Sequence, residues 1–230
     1  MKPSCAAAWA LSLLLCGYAG FNQYGTARTL EPGESNWAVS VDGATEAVAR
    51  KKSEDLVPVP RVRYQRGLAE SLELDVAFGL LLAEGALKYD LVRSERFVLA
   101  LAPGLSLGVF AREAWLGDVH APLVADVVVA PWLVLVPHVG AGWAVTSRPN
   151  VDRTLVDLFG GATAESDDDP AEAFDPTGKP FLLGGIGLYF RLSSSFAIQP
   201  AVTTVYAPET GTFVPRAGLM FVFGSQPAWP

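Results

Sequence analysis

The chain has 230 residues, 50% of them hydrophobic and 18% charged, with a formal net charge of -7. That length suits one sizeable domain and is short for two. Binding a phosphate backbone needs a concentrated basic face, and none is present, so nucleic acid is excluded as a partner.

Residues 1–19 have the layout of a secretory signal: Lys2, an apolar run from Ala6 to Leu15, then small residues. The run is too short to span a bilayer as a helix. No later segment supplies the roughly 20 uncharged apolar residues a spanning helix needs. Integration into a membrane would therefore require a barrel, the other structure that satisfies every backbone polar group in lipid. The signal has two candidate endings. Cleavage before Cys16 would follow the lipobox-like Leu13-Leu14-Leu15-Cys16 and make Cys16 a lipid anchor; cleavage after Ala19 would follow Gly17-Tyr18-Ala19. The lipid ending is the preferred one. Both cysteines, Cys5 and Cys16, fall in this region, so the mature domain is expected to hold no disulfide.

Residues 20–34 are polar and turn-rich and read as a periplasmic tether. Alternation of period two begins after them. Trp37, Val39 and Val41 interleave with Ala38, Ser40 and Asp42, and Val62 and Tyr64 interleave with Arg61, Arg63 and Gln65. Leu72, Leu74, Val76, Phe78 and Leu80 oppose Glu73, Asp75, Ala77 and Gly79, a separation that a helix would not produce. After an expected turn at Glu84-Gly85, Leu87, Tyr89 and Leu91 alternate with Lys88 and Asp90. From Phe97 to Gly108 large residues then alternate with Ala100, Ala102, Gly104 and Ser106. Further strands are expected over about 122–130, 134–145, 181–192, 196–206 and 213–223, each long enough to cross an apolar bilayer core when tilted. A sandwich would show Lys and Glu on its polar faces. Here the faces that are not apolar are largely glycine and alanine.

The pattern predicts an all-β fold, an antiparallel up-and-down transmembrane β-barrel of about ten strands, with eight or twelve as alternatives. The barrel occupies 35–224 and a tail 225–230. The long segments 44–56, 111–121 and 146–180 follow odd-numbered strands and share one end. The short connections 67–70, 93–96, 131–133 and 193–195 share the other. Bacterial outer-membrane barrels have long extracellular loops and short periplasmic turns, so the long loops are expected outside and both termini in the periplasm.

Charges cluster on the inward parity: Asp42, Glu73, Asp75, Asp90 and Asp126 against Arg61, Arg63, Lys88, Arg191 and Arg216, with His138 among them. Mutual pairing in a crowded lumen is the preferred reading of this cluster, and a selective narrow pore the alternative. A turn centred on Trp132 would set Asp126 opposite His138, but a catalytic dyad needs a nucleophile or bound water that the sequence does not identify. His120 is expected in a loop. Two histidines and no mature-domain cysteine cluster make a zinc site improbable. Residues 150–159 suit a short helix capping the barrel mouth. The acidic run Glu165-Ser166-Asp167-Asp168-Asp169 lacks EF-hand spacing and reads as a solvated loop. No catalytic residue, metal or cofactor is expected.

The signal ending near Cys16, the entry Thr26-Ala27-Arg28-Thr29-Leu30-Glu31-Pro32-Gly33-Glu34, and the run Arg61 to Leu91 resemble outer-membrane β-barrel proteins and outer-membrane lipoproteins of Gram-negative bacteria. Within that run the resemblance is carried by Arg63-Tyr64-Gln65-Arg66-Gly67-Leu68 and Leu87-Lys88-Tyr89-Asp90-Leu91. The resemblance implies a barrel and transfers no catalytic residues. The expected function is a non-enzymatic structural or surface-interaction barrel, whose partners are outer-membrane lipids and an unidentified surface or periplasmic protein. A narrow passive channel for small solutes is the alternative, and a membrane-embedded hydrolase a lesser one.

Overall fold

A computed structural model describes residues 25–44, 57–79, 82–109, 115–146, 177–208, 211–227 and 229. The signal segment with Cys5 and Cys16, the stretch 150–159 and the acidic run 165–169 lie outside the described residues.

The strands are β1 (Ser35–Ala44), β2 (Val57–Ala69), β3 (Leu72–Gly79), β4 (Leu82–Arg93), β5 (Phe97–Leu101), β6 (Gly104–Val109), β7 (Trp115–Ala130), β8 (Leu133–Thr146), β9 (Thr177–Arg191), β10 (Phe196–Ala207) and β11 (Thr212–Gly224). All pairings are antiparallel, and β1 closes the sheet on β11 from Asn36↔Gly224 to Ala44↔Arg216. β5 and β6 lie end to end between β4 and β7 and form one stave, so the barrel has ten. The break falls at Ala102-Pro103 because proline has no N–H for the ladder. Hydrogen bonds from Ala102 N to Pro122 O (2.9 Å) and from Leu87 N to Pro103 O (3.0 Å) carry the sheet across it. Among the described residues no helix is long and apolar enough to cross a membrane.

Two expected boundaries move. The β3–β4 connection is at residues 80–81, not at Glu84-Gly85: Val76 pairs with Gly85 and Phe78 with Ala83, which places Glu84 inside a strand. The connection expected at 111–121 narrows to 110–114, because β7 begins at Trp115 and carries His120 within it. Turn residues are weak evidence where pairing with neighbours on both sides extends a strand. The connections 45–56, 110–114 and 147–176 do join strands at one end, opposite the short turns at Glu70-Ser71, Ser94–Arg96, Pro131-Trp132 and 192–195.

The barrel is inside-out relative to a water-soluble one. Trp37, Leu105 and Val139 are 55%, 58% and 61% exposed, whereas Asp126, Gln199 and Thr203 are 0% exposed. Aromatic side chains gather at two levels. Trp37 packs on Tyr64, Trp132 on Phe190 and Phe196 on Phe223 near the short turns, and Tyr206 packs on Phe213 near the other end. Phe213 and Phe223 stand ten residues apart on β11. That separation is about 33 Å along a strand, and roughly 25 Å across the membrane at the usual tilt, the height of an outer-membrane barrel's apolar band.

Candidate functional site: the polar lumen and its inserted terminus

A chain of ion pairs runs down the lumen on β1 to β4. Arg61 meets Asp42 (3.3 Å) and Glu84 (3.5 Å), and Arg63 meets Glu84 (3.4 Å) and Asp75 (2.5 Å). Gln65 donates to Asp75 (3.0 Å) and Glu73 (3.1 Å), and Lys88 closes on Glu73 at 2.7 Å. Register explains the chain. Glu73 pairs directly with Lys88, and Gln65 with Asp75. Arg63 and Glu84 flank Ala77 from either side, and alanine is small enough for them to meet over it. The opposite side of the lumen, on β5 and β7 to β11, carries a buried apolar cluster of Val98, Val124, Val134, Val136, Ala197 and Met220, beside the buried polar Asp126, His138, Gln199, Thr203 and Arg216.

At the short-turn end the N-terminal segment Gly25–Leu30 enters the barrel, which it was expected to precede as a tether. All its residues except Arg28 are buried. Barrel side chains hold its backbone. Asp126 accepts from Ala27 N (2.7 Å) and Arg28 N (2.8 Å), Glu73 from Leu30 N (2.9 Å) and Gln199 from Gly25 N (2.8 Å). Lys88 donates to Thr26 O at 2.8 Å. Thr29 Oγ1 donates to Asp90 at 3.2 Å and accepts from Arg93 at 2.6 Å. Ala27 and Trp229, from the two ends of the chain, both join the apolar cluster, and the Arg28 guanidinium lies 4.5 Å from the centre of the Trp229 ring. The tail is fixed by a hydrogen bond from the Tyr189 hydroxyl to Gln226 and by Arg191 donating to Pro227 O at 3.3 Å.

Ten of the eleven charged or histidine residues expected in the lumen are buried: Asp42, Arg61, Arg63, Glu73, Asp75, Lys88, Asp90, Asp126, His138 and Arg216. Arg191 is half-buried near the tail. Glu84, Asp118 and His120 join them, and their strand parity could have revealed this once β4 and β7 were drawn at full length. Glu84 and Asp118 tip the buried balance toward acid, and backbone N–H groups of the inserted segment answer part of that excess. Nothing in the local pattern of 25–30 announces the insertion, because its partners on the barrel lie 41 to 174 positions away in sequence.

Asp126 and His138 both face inward but do not form a dyad. The turn is centred half a residue before Trp132, and a bulge between Val128 and Ala130 adds a further shift. His138 therefore pairs with Val124. Its Nε2 lies 3.0 Å from Thr203 Oγ1, while Asp126 is engaged by the inserted segment. Ser106, Asp118 and His120 have the residue types of a hydrolytic triad in the wrong order. Ser106 donates to Asp118, whose other oxygen is 2.6 Å from His120 Nδ1. An activated serine needs the imidazole between hydroxyl and carboxylate; here the carboxylate is in the middle. Among the described residues no group of three or more His, Cys, Asp or Glu is placed to hold a metal ion.

No protein-family model matches the chain, and no curated protein matches it. Similar solved structures include an outer-membrane channel from Pseudomonas putida F1 (TM-score 0.47, 14% identity, covering 88% of this chain and 99% of that one). They also include the outer-membrane enzyme PagL (0.38, 10%, 82% and 98%) and the attachment invasion locus protein Ail of Yersinia pestis (0.34, 12%, 84% and 98%).

Proposed function

We propose that this chain is a non-enzymatic barrel of a bacterial outer membrane, closed to solutes, that serves as a structural or surface-interaction protein. The observation that carries the reading is the lumen itself, filled by ion pairs on β1 to β4 and by an apolar cluster with buried polar side chains on the other strands, with the chain's own residues 25–30 bound across its short-turn end. The short turns face the periplasm in this reading. Segments 45–56 and 147–176 face outward, where a surface partner would meet them. Purified, folded protein is expected to be silent in planar lipid bilayers. Steady single-channel conductance would sink the reading in favour of a small-solute channel.

Membrane embedding makes its own prediction. Ile186 is exposed on the outer wall, about midway between the aromatic levels, and Phe213 lies at one of them. Ile186→Arg is expected to lower unfolding stability in lipid vesicles by about 2–4 kcal/mol, and Phe213→Arg by about 0–1 kcal/mol. Equal costs at the two depths would count against a bilayer around this wall.

A further inference from the structure

We propose that the short-turn end of the lumen is a docking site for an extended peptide, which residues 25–30 occupy as an exchangeable plug. This rests on the reading of the lumen as closed by that segment. The segment belongs to no strand, and the pairing of β1 with β11 that closes the barrel does not involve it. It is held as a bound peptide is held, by barrel side chains reaching its main chain: Asp126, Glu73 and Gln199 accept its N–H groups and Lys88 donates to its carbonyls. A carboxylate accepting two consecutive N–H groups makes charge-assisted bonds that suit any extended chain.

Sequence preference comes from four side-chain positions. A small residue is required at 27, where Ala27 is fully buried in the apolar cluster. A basic residue suits 28, where Arg28 donates to Ser94 O at 2.7 Å and lies against Trp229. A hydroxyl at 29 meets Asp90 and Arg93, and Leu30 is 1% exposed at the last position. The ligand class is therefore an extended small–basic–Thr–Leu peptide. A periplasmic segment of that chemistry would compete with the chain's own.

The test uses the folded protein carrying Cys5→Ser, Cys16→Ser and Thr26→Cys, so that the introduced thiol is the target of the reagent. Thr26 is buried, and among the described residues its hydroxyl bonds within the segment, to Arg28 O. A water-soluble maleimide is expected to reach the introduced thiol at least about tenfold faster than the barrel unfolds, unfolding being read as loss of the band that migrates differently before boiling. Adding Asp126→Asn should speed the modification by about another tenfold, through loss of the charge-assisted bonds. Gln199→Leu provides a second weakening variant should Asp126→Asn fail to fold. The free peptide Gly-Thr-Ala-Arg-Thr-Leu-Glu-Pro-Gly-Glu should accelerate modification to a plateau by filling the vacated site, and the same peptide with Arg replaced by Glu should not. Modification that never outruns unfolding overturns the proposal, as does a peptide without saturable effect. Bilayer conductance of the native protein is recorded separately, so failure of the closed-lumen reading remains distinguishable from failure of the exchangeable site.

Discussion

Arg63→Ala is expected to lower the stability of the folded barrel by about 3–5 kcal/mol, the cost of breaking a buried ion pair by removing one partner. Arg63 is 3% exposed and bridges Asp75 and Glu84, so its loss leaves Asp75 with the neutral Gln65 and Glu84 with Arg61, where water has little access. Lys88 is paired with Glu73, and Arg61 is already shared between Asp42 and Glu84, so neither is placed to take over Asp75. Replacing Arg63, Asp75 and Glu84 together by apolar residues of similar volume should recover most of the loss, since a whole buried network exchanges for packed hydrocarbon at little net cost. Denaturant unfolding in detergent micelles, followed by tryptophan fluorescence, reads both. A fall below about 1 kcal/mol for Arg63→Ala would mean that these pairs are solvated, and would count against a filled lumen.

The alternation at Leu72–Phe78 and its like specified the wall of the barrel because lipid on one side and a packed interior on the other enforce period two on every stave. It also specified which charges face inward, since parity survives a small error in register. Partner choice does not survive one. Moving the β7–β8 turn by half a residue and adding one bulge slides Asp126 two positions past His138, keeps both inside, and removes the expected juxtaposition of the two. Glu84 was lost to an expected turn because Gly85 resembles a breaker, although its Cβ position meets no heavy atom within 4 Å and nothing there demands a bend. The inserted segment was illegible for a different reason. Small polar residues such as Gly25-Thr26-Ala27 look the same in a solvated tether and in a bound strand of peptide, and only the lumen side chains that receive them tell the two apart.

The interior also changes what the inward glycines mean. An inward glycine with nothing beside it would leave open space. Several are instead receptors for neighbouring side chains: a Cβ on Gly187 would stand 2.6 Å from Gln199 Nε2, and one on Gly142 would stand 2.3 Å from the Phe181 ring. Their smallness lets larger groups fill the section, which favours a packed core over a glycine-lined pore.

Gly67→Val separates the inserted segment from the barrel that holds it. A Cβ at Gly67 would lie 2.2 Å from Glu31 O and 2.5 Å from Leu30 O, both main-chain atoms of the entering segment. Gly67 also exchanges hydrogen bonds with Gly33 and Glu34, so the segment cannot retreat locally without giving them up. Overpacking of this kind costs about 1–3 kcal/mol, and here the cheapest relief is for residues 25–31 to leave. Trypsin is then expected to cut after Arg28 roughly ten- to a hundredfold faster than in the native protein, provided opening is fast relative to cleavage, with the folded band retained. Gly185→Val is the contrasting case. Its Cβ would lie 2.2 Å from Val202 O, on the adjacent strand β10, and 2.7 Å from His138 Nε2, so the wall itself must shift and the folded band should be lost. Mass analysis of the cut between Arg28 and Thr29, run beside the unboiled gel, distinguishes the outcomes. If Gly67→Val abolishes the folded band as Gly185→Val does, the segment is part of the wall's own stability and cannot be an exchangeable occupant.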